Sequence, residues 1–138
     1  MSKCIVFSFL DDLPAVVESG LYMRAIVGDA LSVGIVKFVA PRGADIPAKP
    51  HSHGEEASLQ IEGGCRVLLG ADVEAGNPSV ELEAGSLMIM PPGQSHYGVN
   101  SFSAAGVSQR LNVVTPPRRE FGAKGQETSF YPIDGGPK

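Results

Sequence analysis

The chain has 138 residues, 43% hydrophobic and 19% charged, with 17 Gly and 11 Pro, proportions that fit one globular domain rich in tight turns. Lys and Arg total 11 against 15 Asp and Glu, a formal charge of -4 without any basic run, which disfavours nucleic acid as a partner. No stretch approaches 18 consecutive apolar residues, so a membrane-spanning helix is excluded.

The first ten residues lack a charged stretch followed by a long apolar region, and so do not resemble a secretory signal; the expected location is the cytoplasm. Residues 4–9 form the first strand-sized apolar cluster. Asp11 and Asp12, with a Pro close behind, then predict a short helix over residues 11–18 that stops before Gly20. Further strand-sized clusters follow at 21–27, 31–39, 58–61, 66–69, 80–82, 87–90 and 107–114. Between them stand turn-forming groups such as Gly28-Asp29, Gly63-Gly64, Asn77-Pro78 and Pro91-Pro92-Gly93. The pattern predicts an all-β sandwich or barrel. Residues 118–138 read as a C-terminal extension anchored by Phe121, Phe130, Tyr131 and Ile133. Cys4 and Cys65, far apart and outside any Cys-x-x-Cys pattern, are expected to be reduced thiols.

All three histidines fall in two short segments. His51 and His53 are two apart, so on an extended chain both imidazoles leave the same face and can converge on one ion. Glu55 and Glu56 follow at once and add a hard oxygen donor to two borderline nitrogens, a set suited to Fe, Mn, Ni, Co or Zn. The third imidazole, His96, comes just after a strand and the Pro91-Pro92-Gly93 turn, which aims it back across the sheet. Taken alone, each segment is equally well explained as a polar loop or a structural histidine.

Together the two segments resemble the paired motifs of the cupin superfamily. Gly43, His51, His53, Glu56 and Gly63 occupy the places of the first motif, and Gly85, Pro91, Gly93, His96 and Asn100 match the second position for position. The resemblance implies an RmlC-like double-stranded β-helix, a jelly-roll barrel, over the whole chain 1–138. It also implies one divalent transition metal ion held by His51, His53, Glu56 and His96. Two residues, Gly54 and Glu55, separate His53 from Glu56, fewer than is usual in the family. The six-residue gap to Gly63 selects Glu56, whereas strand alternation from the histidines selects Glu55, unless Gly54 restarts the strand. Relatives often dimerise near the N-terminus, which marks residues 1–20 as an N-terminal strand and dimerisation segment of a homodimer.

A metal held by four protein groups keeps open positions for a small-molecule ligand or substrate, so the expected activity is metal-dependent chemistry of dioxygenase, isomerase or lyase type. A non-enzymatic sensing or storage barrel is the alternative. Residues 112–121 are similar to the stretch that closes the barrel in small cupins that linearise unsaturated uronates in pectin and alginate breakdown. That similarity places Arg118 in the pocket, with Asn112 where an acid is expected and Val114 where Phe is expected. One of Gln109 and Arg110 must face inward, and an inward Arg110 would favour an anionic substrate. Arg110 and Arg118 are therefore the candidates for the catalytic side chains. Ser58 and Gln60 share the parity of Glu56 and are candidates for lining the pocket.

Overall fold

The computed structural model describes residues 4–11, 13–47, 49–122, 125 and 127–128. Among the described residues ten strands carry the fold: β1 (Ala15–Val17), β2 (Leu21–Val27), β3 (Ser32–Val39), β4 (Glu55–Glu62), β5 (Gly64–Leu69), β6 (Ser79–Glu83), β7 (Leu87–Met90), β8 (His96–Ser101), β9 (Val107–Thr115) and β10 (Glu127–Thr128). Two single 3-10 turns, Arg42–Asp45 and Arg119–Phe121, are the helical elements among the described residues. A seven-stranded antiparallel sheet runs β1-β2-β3-β9-β4-β7, with β10 also on β2, and a three-stranded sheet runs β6-β5-β8. The two sheets face each other as a jelly-roll barrel.

Period-two patterning explains the large sheet. In β2, Leu21, Met23, Ala25 and Val27 point inward and are buried, while Tyr22, Arg24 and Ile26 take the opposite face. They pack with Val36 and Phe38 of β3 and with Phe121, a cluster that closes one part of the barrel. A second cluster joins Cys65, Val67 and Leu82 of the small sheet to Met90 of the large one, which fixes the sheets face to face. Burying side chains of the size of Leu21 and Phe38 stabilises by about 1.5–3 kcal/mol each. Between these clusters β4 breaks the apolar rule: its inward residues Glu56, Ser58 and Gln60 are 5%, 2% and 0% exposed. Burying three polar side chains in a row costs stability unless each finds partners, and that makes this strand the place to look for function.

The outer face of the large sheet is apolar as well. Paired neighbours run Ile89, Ala57, Val113, Val33 and Ile26 across five strands, and Leu87, Leu59, Leu111 and Ile35 in the next row. On the edge strand β7, Leu87 and Ile89 stay 77% and 66% exposed.

Two expectations from the sequence fail. Residues 4–8 lie outside any strand, and residues 9–11 form a turn. The helix expected over residues 11–18 is absent among its described members. Instead Ala15–Val17 pairs with β2 in a hairpin, Ala15 opposite Tyr22 and Val17 opposite Leu21. Ser19 closes the turn at φ 60°, and Gly20 N–H donates to Val17 O at 3.0 Å. The β-branched Val16-Val17 pair suits that hairpin better than a helix. Of the expected tail anchors, Phe121 is buried, whereas Phe130, Tyr131 and Ile133 lie outside the described residues. Among the described residues, no helix is long and apolar enough to cross a membrane. Cys4 is exposed, Cys65 is buried, and both are free thiols.

Candidate metal centre

The two histidine segments are joined backbone to backbone. His51 and His96 form an antiparallel bridge, exchanging N–H to carbonyl bonds of 2.9 Å in both directions. One turn earlier, Gly93 at φ 77° donates its N–H to His53 O at 2.8 Å. The Pro-Gly turn thus clamps the chain carrying His51 and His53 against the start of β8.

Gly54 then resets the side-chain parity. A Cβ on it would lie 2.2 Å from Thr115 O and 2.7 Å from Pro116 Cδ, so only glycine fits between the end of β9 and this corner. Strand β4 begins immediately afterwards, with Glu55 exposed and Glu56 turned inward beside the histidines. Of the two carboxylates the sequence left open, Glu56 is the one brought to the rings.

The ring centroids of His51, His53 and His96 lie 4.4–5.3 Å apart, and one nitrogen from each falls within 4.8 Å of the others. Each Nδ1 contacts a main-chain carbonyl: His51 to Lys49 O at 2.9 Å, His53 to Gly54 O at 2.9 Å, His96 to Gln94 O at 2.8 Å. A carbonyl oxygen only accepts, so each Nδ1 carries a proton, and in the neutral ring Nε2 is left as a lone pair. Glu56 Oε2 stands 2.7 Å from His53 Nε2 and 3.6 Å from His96 Nε2. With neutral rings that is acceptor against acceptor, and His53 Nε2 is buried without a hydrogen-bond partner. Three imidazole lone pairs and a carboxylate with few protons to share form a cluster that a cation would satisfy. An ion about 2.1 Å from each nitrogen would set nitrogen pairs about 3.0–3.4 Å apart, so a pair at the 4.8 Å limit would close by about 1.4–1.8 Å.

The charge states suit that reading. Burial depresses His51 to about 4, against the ordinary 6.5, so the ring is neutral at pH 7. Burial pushes the Glu56 carboxyl up, but His53 and His96, when their Nε2 atoms carry protons in the ion-free protein, and the Ser58 hydroxyl outweigh it and hold the group far below the usual carboxylate range. Ser58 Oγ donates to Glu56 Oε1 and also lies 3.0 Å from Asn112 Oδ1. A hydroxyl has one proton, which the charged carboxylate takes; a half-turn of the Asn112 carboxamide lets its NH2 donate to Ser58.

The cluster opens into a cavity of about 160 Å³ walled by Val36, Val67, Leu82 and Met88, with Lys49, Arg110 and Arg118 as its cations. Both arginines singled out in the sequence therefore reach it. Arg118 is tied to Glu120, its Nε 2.6 Å from Oε1, and lies 4.9 Å above the Phe121 ring. Arg110 Nη1 donates to Asn100 Oδ1 at 2.8 Å, and its guanidinium lies 5.4 Å from the Phe38 centroid. Ser58 lines the cavity, whereas Gln60 sits beyond it, donating to Glu62 O and Ser108 Oγ. Sequence reasoning missed Lys49, which lines the cavity while its carbonyl fixes His51, and the pairing of Asn100 with Arg110. A cation next to His-x-His was a signal for the first; nothing local marked the second.

No protein-family model matches the sequence, and no curated protein matches it. Solved structures do match in shape. KdgF from Halomonas sp. is 17% identical with a TM-score of 0.62, the alignment covering 88% of this chain and all of that one. An RmlC-like cupin from Shewanella frigidimarina NCIMB 400 is 19% identical with a TM-score of 0.62 and the same coverage. Hydroxypropylphosphonic acid epoxidase from S. wedmorenis is 18% identical with a TM-score of 0.57, over 80% of this chain and 59% of that one. With the facing antiparallel sheets and the histidines of both motifs inside them, these likenesses establish that the chain has the cupin fold.

Proposed function

We propose that the chain is a metal-dependent enzyme whose His51, His53, Glu56 and His96 hold one divalent transition metal ion, Fe, Mn, Ni, Co or Zn, and that it acts on a small anionic or carbonyl-bearing molecule. The observation that carries the proposal is the set of three Nε2 lone pairs aimed at one another and at Glu56, each fixed by an Nδ1–H bond to a carbonyl. When bound, such an ion polarises an oxygen of the substrate and stabilises the negative charge that develops there. The protein's own groups bind and orient: Arg110 supplies positive charge, Arg118 adds guanidinium donors while paired with Glu120, and Val36, Val67, Leu82 and Met88 form an apolar wall. Dioxygenase, isomerase and lyase chemistry all fit this arrangement. The test is metal content and turnover for the wild type and for the His53→Ala/His96→Ala double variant. Full metal retention in the double variant refutes the site.

One observation favours a second reading, a binding or sensing barrel in which the ion is structural. Among the described residues lining the cavity, Glu56 is the only carboxylate, and Asn112 occupies the place of a possible proton carrier. Incubating the metal-loaded protein with uronates, keto acids and flavonols separates the readings, since sustained turnover of any of them contradicts a pure binder.

The protein is proposed to work as one domain and as a homodimer in the cytoplasm, where its two unpaired thiols would stay reduced. A second copy is proposed to dock through residues 1–20, and the exposed Leu87 and Ile89 beside the apolar rows of the large sheet offer a further edge for it to cover. Sedimentation showing only monomer at micromolar concentration contradicts the dimer.

A further inference from the structure

The two guanidinium groups in the cavity differ in one respect. Arg118 is neutralised by Glu120, whereas Arg110 makes no ion pair among the described residues and has the neutral Asn100 carboxamide as its hydrogen-bond partner. It is nonetheless held in place. Asn100 Oδ1 lies 3.2 Å from Ser108 Oγ, which in turn is bonded to Gly64 O and to Gln60 Nε2 at the buried end of the barrel. The Phe38 ring supports the guanidinium from one side. A cation kept inside a cavity by a chain of buried polar groups, without a counter-charge, carries a desolvation cost that a bound anion would offset.

The room for that anion is the recess of the cavity that Arg110 and Gly98 both line. A Cβ on Gly98 would lie 3.7 Å from Arg110 Nη2 and only 2.8 Å from Cys65 Sγ, so no side chain fits there and the guanidinium is left facing the cavity. Nη1 is committed to Asn100, so the Nη2 edge is free to donate into the recess. Gly98 stands two residues beyond His96 on β8, which is about 7 Å along the strand. The recess and the histidine cluster thus lie at two ends of one small cavity, well below the roughly 300–1,000 Å³ of drug-sized sites.

We infer that Arg110 anchors a carboxylate at the far end of the substrate. The preferred ligand is then a compact acid of about three to five carbons, its other end an oxygen donor that reaches the histidine cluster. The inference rests on the metal reading above and adds the substrate class: a two-ended acid rather than a neutral carbonyl compound or a simple monoacid. Arg110 recognises and positions; the proton or electron steps at the other end are not its work.

The experiment uses the full chain loaded with Co(II), whose visible absorption reports a change of donor, titrated with succinate and with butyrate, acids of equal length with two carboxylates and one. Wild type should bind succinate at least about tenfold more tightly, the range of a hydrogen bond to a charged group. In Arg110→Gln that preference should collapse to about twofold, and Arg110→Lys should keep part of it, since Lys retains the charge but loses the fork geometry. Arg110→Lys also covers the case in which Arg110→Gln fails to fold. Equal affinity for the two acids in wild type, or a preference that survives intact in either variant, overturns the inference. Cobalt uptake measured by equilibrium dialysis separates the two levels. If wild type takes up no cobalt, the metal reading falls and this inference with it; if it takes up cobalt without preferring succinate, only the anchor falls.

Discussion

Replacing Gly54 by Ala should damage the metal centre without touching any ligand. The added methyl would sit 2.2 Å from Thr115 O and 2.7 Å from both Thr115 C and Pro116 Cδ. Carbon contacts are optimal near 3.5–4.0 Å, so the corner must open by about 1 Å. The neighbours are main chain and a proline ring, which cannot swing aside as a long side chain would. Overpacking of this kind costs about 1–3 kcal/mol, or several degrees of Tm for a domain of this size. The same displacement acts on His53, whose Nδ1–H bonds Gly54 O, and on Glu56, whose inward position depends on the parity break. Metal affinity should fall by at least the roughly 10- to 100-fold seen when ligand-orienting partners are lost. Gly76→Ala is the control, because nothing lies within 4 Å of a Cβ there, and it should change stability by no more than about 0.5 kcal/mol. The assay is urea unfolding of the metal-free protein, followed by competition for Co(II) against a chelator of known affinity. If Gly54→Ala unfolds at the wild-type midpoint and binds cobalt as tightly, the reasoning about this corner is wrong.

Ser58→Ala removes the hydroxyl that donates to Glu56 and should weaken metal binding by about 10-fold while leaving the fold intact; unchanged cobalt affinity would contradict a role for Ser58. Glu56→Gln keeps the shape but not the charge and should cost more affinity than Ser58→Ala, measured by the same competition. The metal-free protein should lose stability in acid. Folded His51 titrates near 4 and the unfolded ring near 6.5, so the unfolded chain takes up the proton first and stability falls as pH drops from about 6.5 towards 4, by at most about 3 kcal/mol. The depressed Glu56 carboxyl adds a loss of the same sign below about 4.5; urea midpoints that are flat between pH 7.5 and 5 would rule out the His51 contribution. Conversely, saturating metal at about 100 times its Kd should stabilise by about 2.7 kcal/mol, and chelation should reverse the shift in Tm.

Much of this was legible in the residues. The alternation in Leu21–Val27 and the turn at Gly63-Gly64 mark strand and corner, because one side of each strand must be apolar and Gly63 sits at φ 63° with backbone on two sides. The His51, His53 and His96 cluster was legible from two motif spacings, although its ends lie forty-five positions apart. Glu56 was not decidable from alternation alone, since the steric pressure on Gly54 comes from Thr115 and Pro116, sixty residues away in the chain. The hairpin that replaces the helix near residue 15 has the same cause: local signals at Asp11 and Pro14 were outweighed by pairing with β2, a partner that propensity cannot see. His96–Ser101 was not among the expected strands because its inward positions, His96, Gly98 and Asn100, carry no apolar side chain.

The mutual bridge between His51 and His96 has a consequence for the choice of ion. Ligand directions here are dictated by a main-chain ladder and by three proton-bearing nitrogens already committed to carbonyls. The ion-free protein therefore already gathers the three rings, and little conformational entropy would be lost if an ion entered as proposed. Exchanging one first-row ion for another would then be expected to alter reactivity more than it alters the protein around it.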